Sequence, residues 1–344
     1  MIFVTRIKEQ APEYGKGIRL AIYQNYGGPV GNAEAINYYI QKMKDAVKAA
    51  KKFDAQLISF PELYVTGYAV SPEEAHSLAE ANKGPTITRV ARIAKENKIA
   101  IICPYPEKAT VNGEIHYYDS MVLLDENGNL LKNYRKTQLW GPDEGKIYSH
   151  GYCYEEEGNA YTVHEVNGFN IGLLNCYEAE FGELARILAL KGAQLVVIPT
   201  AADVWTLLST GERTKMPYPD ISRNLIPAHA LENIMFVAYC NRAGIETRLN
   251  SNGEEIDIGL YLGNSVIADP HGNILLSSRN EETLLIGDCI PDDYGPTHPE
   301  NTNYLKDRRP AIYNELVAEK VAYNNHIYTN PAVNKQNLIV SIKQ

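Results

Sequence analysis

Residues 172–200, GLLNCYEAEFGELARILALKGAQLVVIPT, hold two apolar runs separated by a charged segment, with Cys176 at the first junction. Extended backwards, the first run is FNIGLLN (169–175), which reads as a short strand buried on both faces. In FGELARILALKGAQ (181–194), Leu184, Ile187 and Leu188 fall on one face at helical spacing, and Gly192 stands where a helix terminator is expected. LVVIP (195–199) is a second buried strand. Strand, turn, helix and strand make an α/β unit. Free cysteines commonly pack as small hydrophobes. This one sits where a strand hands over to a helix, so the helix N-terminus is expected to lower its pKa and favour thiolate.

Working outward, the same alternation recurs. IRLAIYQ (18–24) reads as a buried strand, 33–52 as an Ala- and Lys-rich helix, and AQLISFPE (55–62) as a strand stopped by Pro61. TITRVARIAKENK (86–98) is a helix leading into strand IAIICPYPE. After residue 113 the pattern changes to two strand-like runs around an Asn-Gly turn, a hairpin signal. That hairpin, VLLDENGNLLKNYRK (122–136), shares D-x-x-G-N-[L/I]-L with VIADPHGNILLSSRN (266–280). Matching hairpins in the two halves suggest a pseudo-symmetric pair of sheets. With no Gly/Ser linker between them, one domain over 18–317 is expected, with an N-terminal extension at 1–17 and a tail at 318–344.

The bulk numbers narrow the function. A 344-residue chain of net charge −9 lacks the basic balance of a general nucleic-acid or acidic-membrane binder. It has no run of eighteen apolar residues, and its N-terminus has no signal-peptide core. Five cysteines without C-x-x-C spacing argue against a disulfide framework and fit a reducing, cytoplasmic setting. The eight histidines form no metal-ligand pattern, so no metal is expected.

Two further residues stand at strand ends. Glu62 lies just beyond LISF, and Lys136 follows the hairpin strand, with Trp140 and Glu144 close behind. Each alone reads as ordinary surface charge. Together with Cys176 they supply a nucleophile, a proton carrier and an oxyanion stabiliser, the minimum set for acyl transfer.

The segments Phe60-Pro61-Glu62, Tyr134-Arg135-Lys136-Thr137 and Asn175-Cys176-Tyr177 resemble the three signature regions of the nitrilase, or carbon–nitrogen hydrolase, superfamily. ALENIMFVAYCNRAG (230–244), GNSVIADPHGN (263–273) and YLKDRRPAIY (304–313) extend the resemblance in order along the chain. It implies a four-layer α-β-β-α sandwich, a Glu62-Lys136-Cys176 triad, a supporting role for Glu144, and no cofactor. It also implies dimers joined through outer-layer helices, and the tail is expected to reach a neighbouring subunit.

On this reading Glu62 takes the thiol proton as Cys176 attacks a small amide or N-carbamoyl amine. Lys136 and the Tyr177 backbone N–H meet the oxyanion, and water resolves the thioester. Tyr68, Gln138, Trp140, Glu180 and Ala201 are expected to contact substrate. Three departures bear on specificity. Gln138 stands where K-T-H-L would put a histidine, and Tyr177 stands where nitrile-cleaving members usually carry tryptophan. Ala179 and Glu180 stand where a carbamoyl-amino-acid branch carries arginines, which disfavours anionic substrates. Glu178 and Glu180 are expected either to make the mouth acidic or only to favour the first turn of the helix that follows. The alternatives are a nitrilase, an acyl or amide transferase using the same triad, and a binding protein without turnover; the last predicts a damaged triad.

Overall fold

Two sheets face each other across a shared apolar core. The computed structural model describes residues 1–206, 212, 220–250 and 252–318. The first sheet has seven strands in the order Ile2–Arg6, Thr283–Cys289, Ile18–Gln24, Leu57–Ser59, Ala100–Val111, Glu114–Leu124 and Leu130–Arg135. The second has six: Ile274–Ser277, Val266–Ala268, Phe236–Cys240, Leu195–Pro199, Phe169–Leu173 and Val163–Val166. At the centre of each, three neighbouring strands run parallel, buried on both faces as their continuous apolar sequences require.

Alternation along those strands decides the layers. Ile18, Leu20 and Ile22 point between the sheets and meet Ile171, Val197 and Ala238 of the other sheet. Ala21 and Tyr23 point the other way, into Tyr39, Met43 and Val47 of helix α1 (Ala33–Lys51). Helix α2 (Pro72–Leu78) lies in the connection before α3 (Pro85–Asn97), whose Val90 and Ile93 complete that outer layer. Helix α4 (Gly141–Ile147) follows the first sheet. Helices α5 (Gly182–Leu190) and α6 (Ile221–Asn233) cover the second sheet, packing Leu184, Leu188, Ile226 and Ala230 on Val196, Ile198 and Val237. The result is a four-layer α-β-β-α sandwich. Gly172 sets the approach of α5, because a Cβ there would lie 3.0 Å from the Leu188 side chain.

Local chemistry starts and stops these elements. The Asn32 side chain caps α1 by accepting from the Ala35 N–H at 2.8 Å. The two D-x-x-G-N motifs close the hairpins that carry Leu130–Arg135 and Ile274–Ser277, an edge strand of each sheet. In each, the aspartate Oδ1 accepts from the backbone two and four residues on, Asn127 and Asn129 from Asp125, His271 and Asn273 from Asp269.

Two features differ from the sequence reading. The first seventeen residues are built into the sandwich: Ile2–Arg6 pairs in parallel with Thr283–Gly287, and the Arg19 guanidinium donates to the carbonyls of Lys8 and Gln10. A third, four-stranded sheet (Asp203–Thr206, Glu255–Leu262, Ala243–Leu249, Tyr26–Pro29) was not foreseen. Met1–Leu305 forms one compact unit, and Lys306 onward a second, with short 3-10 turns at Pro310–Ile312 and Asn314–Val317. Of the expected tail, only Ala318 falls within the described residues. Among those residues no helix is long and apolar enough to cross a membrane.

Candidate active site

The carboxyl ends of the central strands of both sheets meet at one place. Glu62 lies three residues past Leu57–Ser59, and its N–H donates to the Thr200 carbonyl just past Leu195–Pro199 of the other sheet, at 3.3 Å. Lys136 follows Leu130–Arg135, its N–H continuing the ladder to the Asp119 carbonyl at 2.9 Å. Cys176 follows Phe169–Leu173 and opens a 3-10 turn, Cys176–Glu180, with φ of 48°. A non-glycine residue in the left-handed region is strained by about 1–2 kcal/mol, which reverses the chain sharply and lifts the side chain out of the strand.

Lys136 is fully buried and its ammonium gathers the acidic groups. Nζ donates to Glu62 Oε1 at 2.6 Å and to both oxygens of Glu144 at 2.9 Å, and stands 3.5 Å from Asp119 Oδ2. Burial works against the ammonium, but Glu144 and Glu62 outweigh it and hold the Lys136 pKa well above its ordinary value. Oxygens of Glu62, Asp119 and Glu144 all lie within 4.8 Å of one another, a spacing that could hold a cation. The ammonium is that cation. Glu144 is fixed in turn by the Tyr68 hydroxyl at 2.7 Å and the Trp140 N–H at 2.6 Å.

Cys176 departs from the expected thiolate. Helix α5 begins only at Gly182, so the thiol does not lie at its N-terminus. Burial pushes the thiol pKa well up, the neighbouring Glu62 charge pushes the same way, and Lys136 and a backbone hydrogen bond from Ala201 only partly oppose them. The resting group is a thiol, so attack requires a base.

The remaining sequence-predicted residues divide. Tyr68 and Trp140 hold Glu144, and Ala201 reaches the nucleophile through its backbone. Tyr177 is half-buried with its ring edge-on to Phe181, and its N–H immediately follows the nucleophile. The Gln138 side-chain oxygen accepts from the Tyr161 hydroxyl at 3.5 Å and lies against the Thr137 hydroxyl, whose proton goes to Glu178. Glu180 is exposed, its pKa raised by partial burial. Glu178 contradicts the acidic-mouth expectation: it is fully buried, and its carboxylate accepts from Thr137, Asn175 and Tyr134 rather than facing solvent.

Sequence reasoning missed three charged residues here. Asp119 interrupts an apolar strand. Arg242, fully buried just past Phe236–Cys240, donates through Nη2 to the Glu62 carbonyl and pairs with buried Glu246. Glu246 accepts from the Tyr68 N–H at 3.0 Å and the Tyr261 hydroxyl at 2.7 Å, so the third sheet anchors the segment carrying Glu62 and Tyr68. For Asp119 the available signal was a charged residue inside an otherwise apolar strand.

Residues 19–299 match the Carbon-nitrogen hydrolase family. The chain is 35% identical to a Pseudomonas protegens protein described as "Hydrolase in pqqF 5'region", over 88% of this chain and 92% of that one. It is 27% identical to the N-carbamoylputrescine amidase of Oryza sativa subsp. japonica, over 79% and 86%. A variant of the amidase from Nesterenkonia sp. AN1 superposes with a TM-score of 0.65 at 27% identity, over 90% of this chain and 99% of that one. That structure shows covalent addition of the acetamide moiety of fluoroacetamide at its active-site cysteine. The chain thus belongs to the carbon–nitrogen hydrolase family of the nitrilase superfamily and is a hydrolase acting on C–N bonds.

Proposed function

We propose that this hydrolase cleaves a small amide or N-carbamoyl amine through a thioester on Cys176. The observation that carries the reading is the Lys136 ammonium clamped between Glu62 and Glu144 beside a protonated, half-buried thiol. Glu62 takes the thiol proton as sulfur attacks the carbonyl carbon. The oxyanion is met by Lys136 and the Tyr177 N–H, each a donor of the kind worth about 3–4 kcal/mol. Glu62 returns the proton to departing ammonia or amine, then activates the water that resolves the thioester. Glu144, held by Tyr68 and Trp140, keeps Lys136 in place.

Similarity to an amidase and to an N-carbamoylputrescine amidase supports neutral or cationic substrates. With Glu178 turned inward, Glu180 is the remaining acidic residue of the nucleophile turn to favour them. Ammonia and amine release should be measured over aliphatic amides, carbamoyl amines, carbamoyl amino acids, ω-amides and nitriles. Turnover of amides or carbamoyl amines that vanishes in Cys176→Ala and Glu62→Gln is the expected result. Residual activity in Cys176→Ala above about one per cent would exclude the covalent route, since loss of a nucleophile in such a unit removes far more.

A further inference from the structure

Both side-chain oxygens of Asp119 are buried without a hydrogen-bond partner among the described residues, and Glu62 Oε2 and the Tyr148 hydroxyl share that condition. The groups belong to one cluster. Asp119 lies on the strand Glu114–Leu124, with Lys136 Nζ 3.5 Å from Oδ2 and oxygens of Glu62 and Glu144 within 4.8 Å. Three buried carboxyl groups thus surround one ammonium. If all were ionised the site would bury two uncompensated negative charges, and like carboxyls packed together instead retain a proton.

We propose that Asp119 is held as a neutral carboxylic acid that donates a hydrogen bond to Glu62 Oε2, and so serves as a positioning residue for the base. A single proton then satisfies an orphaned oxygen on each side. Glu62 is gripped at both oxygens, by Lys136 at Oε1 and Asp119 at Oε2, and each oxygen keeps a second lone pair for the incoming thiol proton.

The surroundings favour this protonation state from nearly every side. Glu62 faces Asp119 from the loop after Leu57–Ser59, Lys136 from the end of Leu130–Arg135, Glu144 from α4, and Tyr148 from just beyond α4. Burial first, then the Glu62 charge, holds the Asp119 carboxyl well above the usual carboxylate range; Lys136 alone among the neighbours pulls it down. Burial above all raises the Tyr148 phenol well up, so it remains a neutral donor within the cluster.

The kinetic arm of the test rests on the amidohydrolase reading, whereas the spectroscopic arm needs no substrate. Infrared difference spectra of the resting enzyme near neutral pH, wild type minus Asp119→Asn, should show a deuterium-sensitive carboxylic-acid carbonyl band that the variant lacks. In kcat/KM profiles Asp119→Asn keeps a neutral donor and should leave the acid limb in place while lowering its height. Asp119→Leu removes the donor, so the limb should move to higher pH by about one unit, the worth of one charge-assisted hydrogen bond. An ionised Asp119 predicts the opposite sign, since deleting a negative charge beside the base moves the limb to lower pH in both variants. That shift, or absence of the acid band, overturns the proposal. If no amide is turned over, the band alone decides it.

Discussion

Glu178 Oε1 accepts hydrogen bonds from both the backbone N–H and the hydroxyl of Thr137, at 2.6 and 2.5 Å. Its other oxygen takes the Asn175 N–H and the Tyr134 hydroxyl, each at 2.7 Å. One buried carboxylate therefore ties the residue after Lys136 to the residue before Cys176, and fixes ammonium and thiol relative to each other across the two sheets. Hydrogen bonds to a charged acceptor contribute about 1.5–3 kcal/mol, and the donors left behind would be buried and unpaired. Glu178→Ala should destabilise the fold by at least about 3 kcal/mol on this scale. It should also lower kcat/KM about 10²-fold, as small misplacements of reacting groups do. Urea unfolding and steady-state hydrolysis measure the two effects. A folded Glu178→Ala enzyme with wild-type kcat/KM would remove the tether from the mechanism.

What could be read from the chain follows how local the signals are. Glu62 and Cys176 were legible because each stands three residues past a short, mostly apolar run that reads as a buried strand. The layers were legible because 195–199 is apolar at every position and 18–24 at all but Arg19 and Gln24, which demands cover on both faces. Glu178 was misread because spacing alone cannot say which way a side chain leaves a 3-10 turn. The thiol's protonation was misread for a related reason: the turn at Cys176 was expected to bring the N-terminus of the following helix to the thiol, whereas that helix begins only at Gly182. The third sheet stayed hidden because Tyr26–Pro29 contains two glycines and a proline, and Glu255–Leu262 opens on polar residues. Arg242 and Glu246 acquire meaning only as a pair, through contacts made by folding.

Lys136 is the counter-ion on which the acidic cluster depends. Lys136→Met leaves Glu62 and Glu144 without a cation in a buried site, and such unpaired charge costs about 3–5 kcal/mol. Turnover should be lost as well. Adding Glu144→Gln removes one of the stranded charges, so the double variant should be more stable than the sum of the single effects by at least about 1 kcal/mol. Strict additivity in a double-mutant cycle of unfolding free energies would show that the clamp is not an energetic unit.

We propose that the outer face of α5 joins two copies of the chain. Leu184 and Leu188 are spent on the core beneath, whereas Leu190 remains 47% exposed at the end of the helix and Ile187 is only half-buried. Both lie on an outer layer of the sandwich, where a second copy could cover them. Light scattering at micromolar concentration should give at least a dimer, and Leu190→Lys should shift it towards monomer. A monomeric wild type, or a dimer indifferent to the charge, would place any interface elsewhere.

Asp119 should also leave a mark on stability that needs no substrate. Its carboxyl in the folded protein is held well above the ordinary value of 3.8, burial being the largest cause and Glu62 the next. Between that ordinary value and the folded one, the native state keeps a proton that the unfolded chain has released. Stability from this group is therefore full at low pH and is lost as pH rises through that window. Asp119→Asn is neutral in both states and removes the dependence. Relative to wild type the variant should gain as pH rises from about 4, by up to about 1.4 kcal/mol per unit across the window. Glu144, Glu178 and Cys176 are also raised by burial, but they are present in both proteins and enter the comparison equally. Urea midpoints measured for both proteins from mildly acidic to mildly alkaline buffer test this. Curves that stay parallel would mean that Asp119 gives up its proton on folding as readily as it does in water, and the buried acid would have to be assigned to another member of the cluster.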